Sequence, residues 1–244
     1  MSFFQGNLKI AASPKTGKPR GDNISTARTA LLVTWLCILI ISIGSATLLL
    51  GNTESQAAKI LPINVSCVGD SITEWSGYPA SLEIMLGNDY KVGNFGVTGA
   101  AISPTWHTSY INQWKFYESK DFNPSIVVIM LGTNDAHTYQ SVINFPSDYK
   151  KLVSEYQELP NHPRIFLVNP PPIYDNDLEL NDTYLDSYVI PGIEQVGGEL
   201  NLPIIDVNNA LQNHPEYFED GVHPNSAGAF AIATEIIDAI DLEN

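Results

Sequence analysis

Six consecutive apolar residues, Ile126-Val127-Val128-Ile129-Met130-Leu131, stop at Gly132. A run this short, rich in β-branched residues and bounded by glycine, suits a strand covered on both faces, and such strands belong to parallel sheets in α/β folds. A chain that contains one must supply parallel partners beside it and helices above and below it. The rest of the sequence does so. Ile63–Val68, Tyr90–Phe95, Arg164–Asn169 and Leu202–Val207 read as four further strands. Tyr78–Leu86 reads as a helix with Pro79 near its start. In residues 147–159, Tyr149, Leu152, Val153 and Tyr156 recur at i, i+3, i+4, i+7, the stripe of an amphipathic helix. Residues 182–200 are expected to be helical with a break at Pro191-Gly192. Asn225 is placed to cap a last helix whose stripe would be Phe230, Ala233, Ile237 and Ile240. Strand and helix alternating in this way predict one α/β domain over residues 61–244, with a five-stranded parallel sheet between two helical layers.

The N-terminal fifth has a different character. Between Arg28 and Glu54 lie 25 residues without a charge, with an apolar heart from Leu31 to Leu50. About 20 mostly apolar residues span a bilayer as a helix, whereas a secretory signal has an apolar region of only about 7–15. Residues 29–50 are therefore expected to be a transmembrane signal anchor. Cleavage near Ala57, where Ser55-Gln56-Ala57 has suitably small residues, is the alternative, and would release a secreted protein. Residues 1–28 carry Lys9, Lys15, Lys18, Arg20 and Arg28 against Asp22 alone. That basic tail should stay in the cytoplasm and leave the C-terminal domain extracytoplasmic, with residues 51–60 as a linker.

Charge narrows the partners. The first 58 residues hold five bases and two acids, so the −15 of the whole chain leaves −18 for residues 59–244. Such a field repels nucleic acid and anionic surfaces. Cys37 lies in the apolar run and Cys67 in the first strand, so no disulfide is expected between them. No Cys/His cluster has zinc spacing, and no metal or cofactor is expected.

Three short runs fall next to predicted strand ends or a helix start: Gly69-Asp70-Ser71-Ile72-Thr73, Gly132-Thr133-Asn134-Asp135 and Asp220-Gly221-Val222-His223-Pro224. In open parallel sheets, ligands bind beyond the carboxyl ends of the strands, where the first two runs lie. Ser71 sits where a helix start favours developing negative charge. Asp220, three residues before His223, can reach the imidazole and leave its other nitrogen to take a serine proton. The Asn134 amide can donate to an oxyanion, and Gly96 can offer a backbone N–H because no side chain blocks approach. Asp70 and Asp135 are read as turn residues that bond their own backbone. His107 and His137 fall in loops on the same edge, whereas His162 and His214 are read as surface residues.

These blocks resemble those of the SGNH hydrolases, also called GDSL esterases and lipases. Gly69-Asp70-Ser71-Ile72-Thr73 is similar to that family's first block and Asn94-Phe95-Gly96-Val97-Thr98-Gly99 to its second. Gly132-Thr133-Asn134-Asp135 is similar to the third and Asp220-Gly221-Val222-His223 to the fifth. The first block reads Gly-Asp-Ser-Ile where the family's name-giving run is Gly-Asp-Ser-Leu. The resemblance implies a flavodoxin-like three-layer α/β/α sandwich. It implies Ser71 as nucleophile, His223 as base and Asp220 as its orienter, with the Ser71 N–H, Gly96 N–H and Asn134 side chain forming an oxyanion hole. The text around the blocks looks like that of sialate and carbohydrate O-acetylesterases, which implies removal of a small acyl group, acetyl first, from a glycan or similar polar alcohol. A lysophospholipase or thioesterase, an acyltransferase, or a membrane-anchored glycan-binding module that has lost catalysis are the other readings. Trp75, Trp106, His107, Tyr110 and Trp114 follow the first two strands and are candidates to face substrate.

Overall fold

The computed structural model describes residues 31–40 and 61–242. Residues 31–40 are helical and exposed; the expected tail 1–28, the remainder of the 29–50 span and the linker 51–60 lie outside the described residues. Among the described residues no helix is long and apolar enough to cross a membrane. Ile60–Asn244 forms one unit by itself, and the sheet lies within it.

Five parallel strands, β1 (Ile63–Gly69), β2 (Tyr90–Gly96), β3 (Ile126–Met130), β4 (Arg164–Asn169) and β5 (Ile204–Asp206), lie in the order β2-β1-β3-β4-β5. β5 is shorter than expected. Pro203 cannot donate to the ladder, and the Asp206 side chain accepts from the Asn209 N–H, so the chain turns into a helix at Val207.

The alternation of side chains along β3 explains why both faces are covered. Ile126, Val128 and Met130 enter one core together with Val65, Cys67, Phe166 and Val168. Val127, Ile129 and Leu131 enter the other with Val68, Ile165 and Leu167. The first core is closed by α2 (Tyr78–Leu86), through Tyr78 and Leu82, and by α6 (Ser226–Leu242). The second is closed by α3 (Trp114–Asp121), α4 (Phe145–Gln157) and α5 (Ile190–Leu200). Tyr149, Leu152, Val153 and Tyr156 of α4 are all buried there, as their spacing predicts. A further short helix, α1 (Ser71–Trp75), follows β1 directly. α3, the β2-to-β3 crossover, has no clear stripe: only Phe116 and Ser119 of its eight residues are buried.

Two helical expectations are corrected. The chain does not break at Pro191-Gly192. It widens into a π turn over Leu185–Val189 and continues as α5, with Pro191 in the first turn. Proline has no N–H to give to the Ser187 carbonyl and its ring presses on it, and a widened turn relieves both. The buried stripe of α6 is Ala229, Ile232, Ala233, Ile236 and Ile240, whereas Phe230 is 59% exposed. This helix is apolar around most of its circumference, so periodicity alone does not select its inner face. Asn225 does cap it, its side-chain oxygen accepting from the N–H groups of Ala227 (2.9 Å) and Gly228 (3.3 Å).

The end of β2 and the start of α1 meet closely. A Cβ on Gly96 would lie 2.3 Å from the Glu74 nitrogen, 2.7 Å from Glu74 Cα and 2.8 Å from the Asp70 carbonyl oxygen. All three are backbone atoms and cannot rotate away. Gly96→Ala should therefore destabilise the fold by about 1–3 kcal/mol, read as a lower urea midpoint at unchanged slope. A wild-type midpoint would mean that α1 is free to lift from the sheet.

Candidate active site

The sheet order reverses at β1 and β3, because the chain leaves β1 towards β2 on one side and reaches β3 on the other. The crevice at the carboxyl ends of these strands is where an open α/β sheet offers a site. β1 delivers Ser71, β2 the loop 97–99, and β3 the turn Thr133–Asp135.

Ser71 is the first residue of α1 and is 7% exposed. Asp70 caps the helix, its Oδ1 accepting from the Ile72 N–H at 2.9 Å. From the loop before α6, His223 Nε2 lies 2.9 Å from Ser71 Oγ, and Nδ1 lies 2.7 Å from Asp220 Oδ2. The other carboxylate oxygen, Oδ1, accepts the N–H groups of Val222 (3.0 Å) and His223 (2.8 Å). One oxygen thus locks the loop and the other orients the ring. Burial pushes the Asp220 carboxyl up, but the His223 N–H and imidazole and the Val222 N–H outweigh it, so the group sits below its ordinary value and is ionised at neutral pH. With Nδ1 protonated towards Asp220, Nε2 accepts the Ser71 hydroxyl proton. The expected set Ser71, His223 and Asp220 is therefore brought together.

The two other donors expected beside Ser71, Asn134 and Gly96, differ in what the fold leaves them. Asn134 is half-buried and donates one amide hydrogen to the Ala100 carbonyl at 3.0 Å, which fixes the amide and leaves its second N–H without a partner among the described residues. The Gly96 N–H is not available: it donates to Asn94 Oδ1 at 3.0 Å. The same Asn94 amide donates to the Thr73 (2.9 Å) and Glu74 (3.3 Å) carbonyls and ties β2 to α1. A side chain at Gly96 is excluded by the packing of α1 on it. Three residues on, Gly99 has φ +71°, a Cβ there would meet nothing within 4 Å, and its N–H makes no hydrogen bond among the described residues. Its neighbour Ala100 holds Asn134. The loop is braced on both sides. Glu74 Oε2 accepts from the Thr98 N–H (2.7 Å) and hydroxyl, and the Trp106 indole donates to the Gly99 carbonyl (2.9 Å). Both glycines stand in the second block, and residue type alone does not choose between them.

Asp135 is also corrected. It does not bond its own turn: its Oδ2 and Oδ1 accept the N–H groups of Ile102 and Ser103, each at 2.9 Å. The turn after β3 buries this carboxylate against the 100–103 loop, where two successive N–H groups converge. Neither Asp70 nor Asp135 hydrogen-bonds to Ser71 or His223.

The aromatic residues divide. Tyr110 is fully buried, its hydroxyl donating to the Phe95 carbonyl, and is core. Trp114 is exposed beneath Lys115. Trp106 packs against His107 and His137, with ring centroids 4.9 and 5.5 Å away. Trp75, one helical turn after Ser71, has its ring centroid 5.2 Å from that of His223.

Burial pushes Asp70 up to about 6 and Asp135 to about 7. Carboxyls raised in the folded state hold protons that the unfolded chain has already released, so stability should fall as pH rises from about 4 to about 7 and level off above. Asp70→Asn keeps the cap and removes the buried charge. In thermal melts between pH 4.5 and 8 it should lose less Tm than wild type, whereas parallel losses would place the titration elsewhere.

The chain matches the GDSL-like Lipase/Acylhydrolase family over residues 67–229. It is similar to an acetylxylan esterase of Xylanibacter ruminicola, 30% identical over 221 residues. That alignment covers 78% of this chain and 46% of the relative, so the chain spans about half of the relative's length. In fold it is similar to a carbohydrate acetylesterase family member from Sinorhizobium meliloti (TM-score 0.61, 19% identity, 74% of this chain and 98% of that one). It is likewise similar to the lipase/acylhydrolase from Enterococcus faecalis (TM-score 0.60, 22% identity, 74% and 96%). The matched residues run from Cys67 in β1 to Ala229 in α6 and so contain Ser71, Asn134, Asp220 and His223: the chain belongs to the GDSL-like lipase/acylhydrolase family.

Proposed function

We propose that the protein is a serine ester hydrolase that removes small acyl groups, acetyl first, from a carbohydrate or similar polar alcohol. The observation that carries this reading is the unbroken chain from Ser71 Oγ through His223 to Asp220. Ser71 Oγ attacks the acyl carbon and its proton passes to His223 Nε2. The tetrahedral oxyanion collapses, the bond to the alcohol oxygen breaks, and His223 returns the proton to the leaving alcohol. Water then attacks the acyl-Ser71 ester, again giving its proton to His223, and the carboxylic acid leaves as Ser71 recovers its hydrogen. Asp220 stabilises the imidazolium in both halves.

The oxyanion is held by the Ser71 N–H, which has no intrahelical partner at the first position of α1, by the free N–H of Asn134, and by the Gly99 N–H in place of the expected Gly96. The choice of a carbohydrate ester rests on the similarity to an acetylxylan esterase. The 25 uncharged residues after a basic tail support an N-terminal anchor with the catalytic domain extracytoplasmic.

Ser71→Ala and His223→Ala should each lower turnover of p-nitrophenyl acetate by about 10³–10⁶-fold with an unchanged melting transition. Activity within tenfold of wild type in either variant would sink the assignment. Asn134→Ala should lower kcat by about 10²–10³-fold, and an unchanged rate would remove Asn134 from the oxyanion site. Turnover should fall as the acyl chain is lengthened; a rise would favour a lipid ester.

A further inference from the structure

The proton path assigns sides to the substrate. The carbonyl oxygen must face the Asn134 amide, and the leaving oxygen must come within hydrogen-bond reach of His223 Nε2 to be protonated. The alcohol half of the ester therefore lies on the His223 side. On that side a cleft of about 290 Å³ opens between α1 and the loop before α6, lined by Trp75, Ser76, Glu219, His223, Asn225 and Ser226 among others. Its size is near the lower end of small-ligand sites, about 300–1,000 Å³, and suits one ring rather than a long chain.

Its chemistry is also specific. Trp75 leaves 60% of its surface in solvent although it stands one helical turn from Ser71, and its ring is tilted 34° to that of His223. An exposed tryptophan gains little for the fold from that position. The exposed side chains of Glu219 and Ser226 make no hydrogen bond or ion pair among the described residues. A flat aromatic face rimmed by a free carboxylate and a free hydroxyl matches a ring with apolar C–H faces and hydroxyl edges. The acidic domain disfavours an anionic alternative.

We propose that Trp75, with Glu219 and Ser226, forms a subsite for a neutral sugar ring on the leaving-alcohol side of the ester. The subsite rests on the carbohydrate reading of the same site. It makes Trp75 a determinant of alcohol specificity rather than of acyl size.

The test compares wild type, Trp75→Ala, Trp75→Phe and Glu219→Gln on an acetylated xylo-oligosaccharide and on ethyl acetate, whose leaving alcohol is too small to reach the ring. Trp75→Ala should raise KM for the oligosaccharide by about three- to tenfold and lower the oligosaccharide-to-ethyl-acetate ratio of kcat/KM by a similar factor. Trp75→Phe should recover most of that loss, and Glu219→Gln should raise KM for the oligosaccharide alone. Equal losses on both substrates, or a loss confined to kcat, would show that Trp75 only holds His223 and would overturn the subsite while leaving the carbohydrate reading intact. Ser71-dependent cleavage of ethyl acetate with no cleavage of the oligosaccharide by wild type would overturn the carbohydrate reading and the subsite with it.

Discussion

A strand that is apolar on both faces has nowhere to go but between two layers of helices. β3 is such a strand, and its burial sets the rest of the domain in place. Two helical layers require crossovers on both sides of the sheet, and crossovers that diverge from neighbouring strands leave a crevice where they part. β1 and β3 are those neighbours here. Their polar ends, rather than their apolar bodies, point into the crevice, so the residues after Gly69 and after Leu131 are free to carry chemistry.

The site shows a division of labour between groups that react and groups that hold. Asn94 and Glu74 brace α1 against the 96–99 loop, and Asp135 draws the 100–103 loop onto the turn that carries Asn134. Each brace is a side chain satisfying backbone groups that no regular element satisfies. An oxyanion site must be set before the reaction, because donors that must first reorient contribute less than donors already aimed. Burying two carboxylates is the cost of this order. It is visible in the raised Asp70 and Asp135, and both are offset in part by backbone N–H groups.

The carbohydrate reading rests on the similarity to an acetylxylan esterase, and the proposed subsite on orientation. A serine–histidine pair is indifferent to what lies beyond the ester, but the direction of proton return is not. On the proposed reading it sets the alcohol on the side of His223, where Trp75 is exposed and the side chains of Glu219 and Ser226 make no hydrogen bond among the described residues. The alcohol is then met by α1 and the loop before α6, apart from the loops that follow β2 and β3.

Much of this was legible in the residues. Five strands, the α4 stripe, the Asn225 cap and the Asp220–His223 pair follow from short-range patterns, because burial periodicity, capping and an Asp-x-x-His loop are local properties. Ser71 is joined to that pair by the family resemblance and is brought to His223, 152 residues away, by the fold. What tertiary structure decided is where local rules are silent or degenerate. α6 is apolar nearly all round, so only its neighbours choose its inner face. Pro191 can break a helix or widen it, and packing of the turn before it selects the second. Asp135 is an ordinary turn residue by sequence, and it becomes a long-range brace because Ile102 and Ser103 converge on it. Gly96 and Gly99 are equivalent as letters. Only tertiary structure shows that Gly96 makes room for α1, whereas the Gly99 N–H makes no hydrogen bond among the described residues.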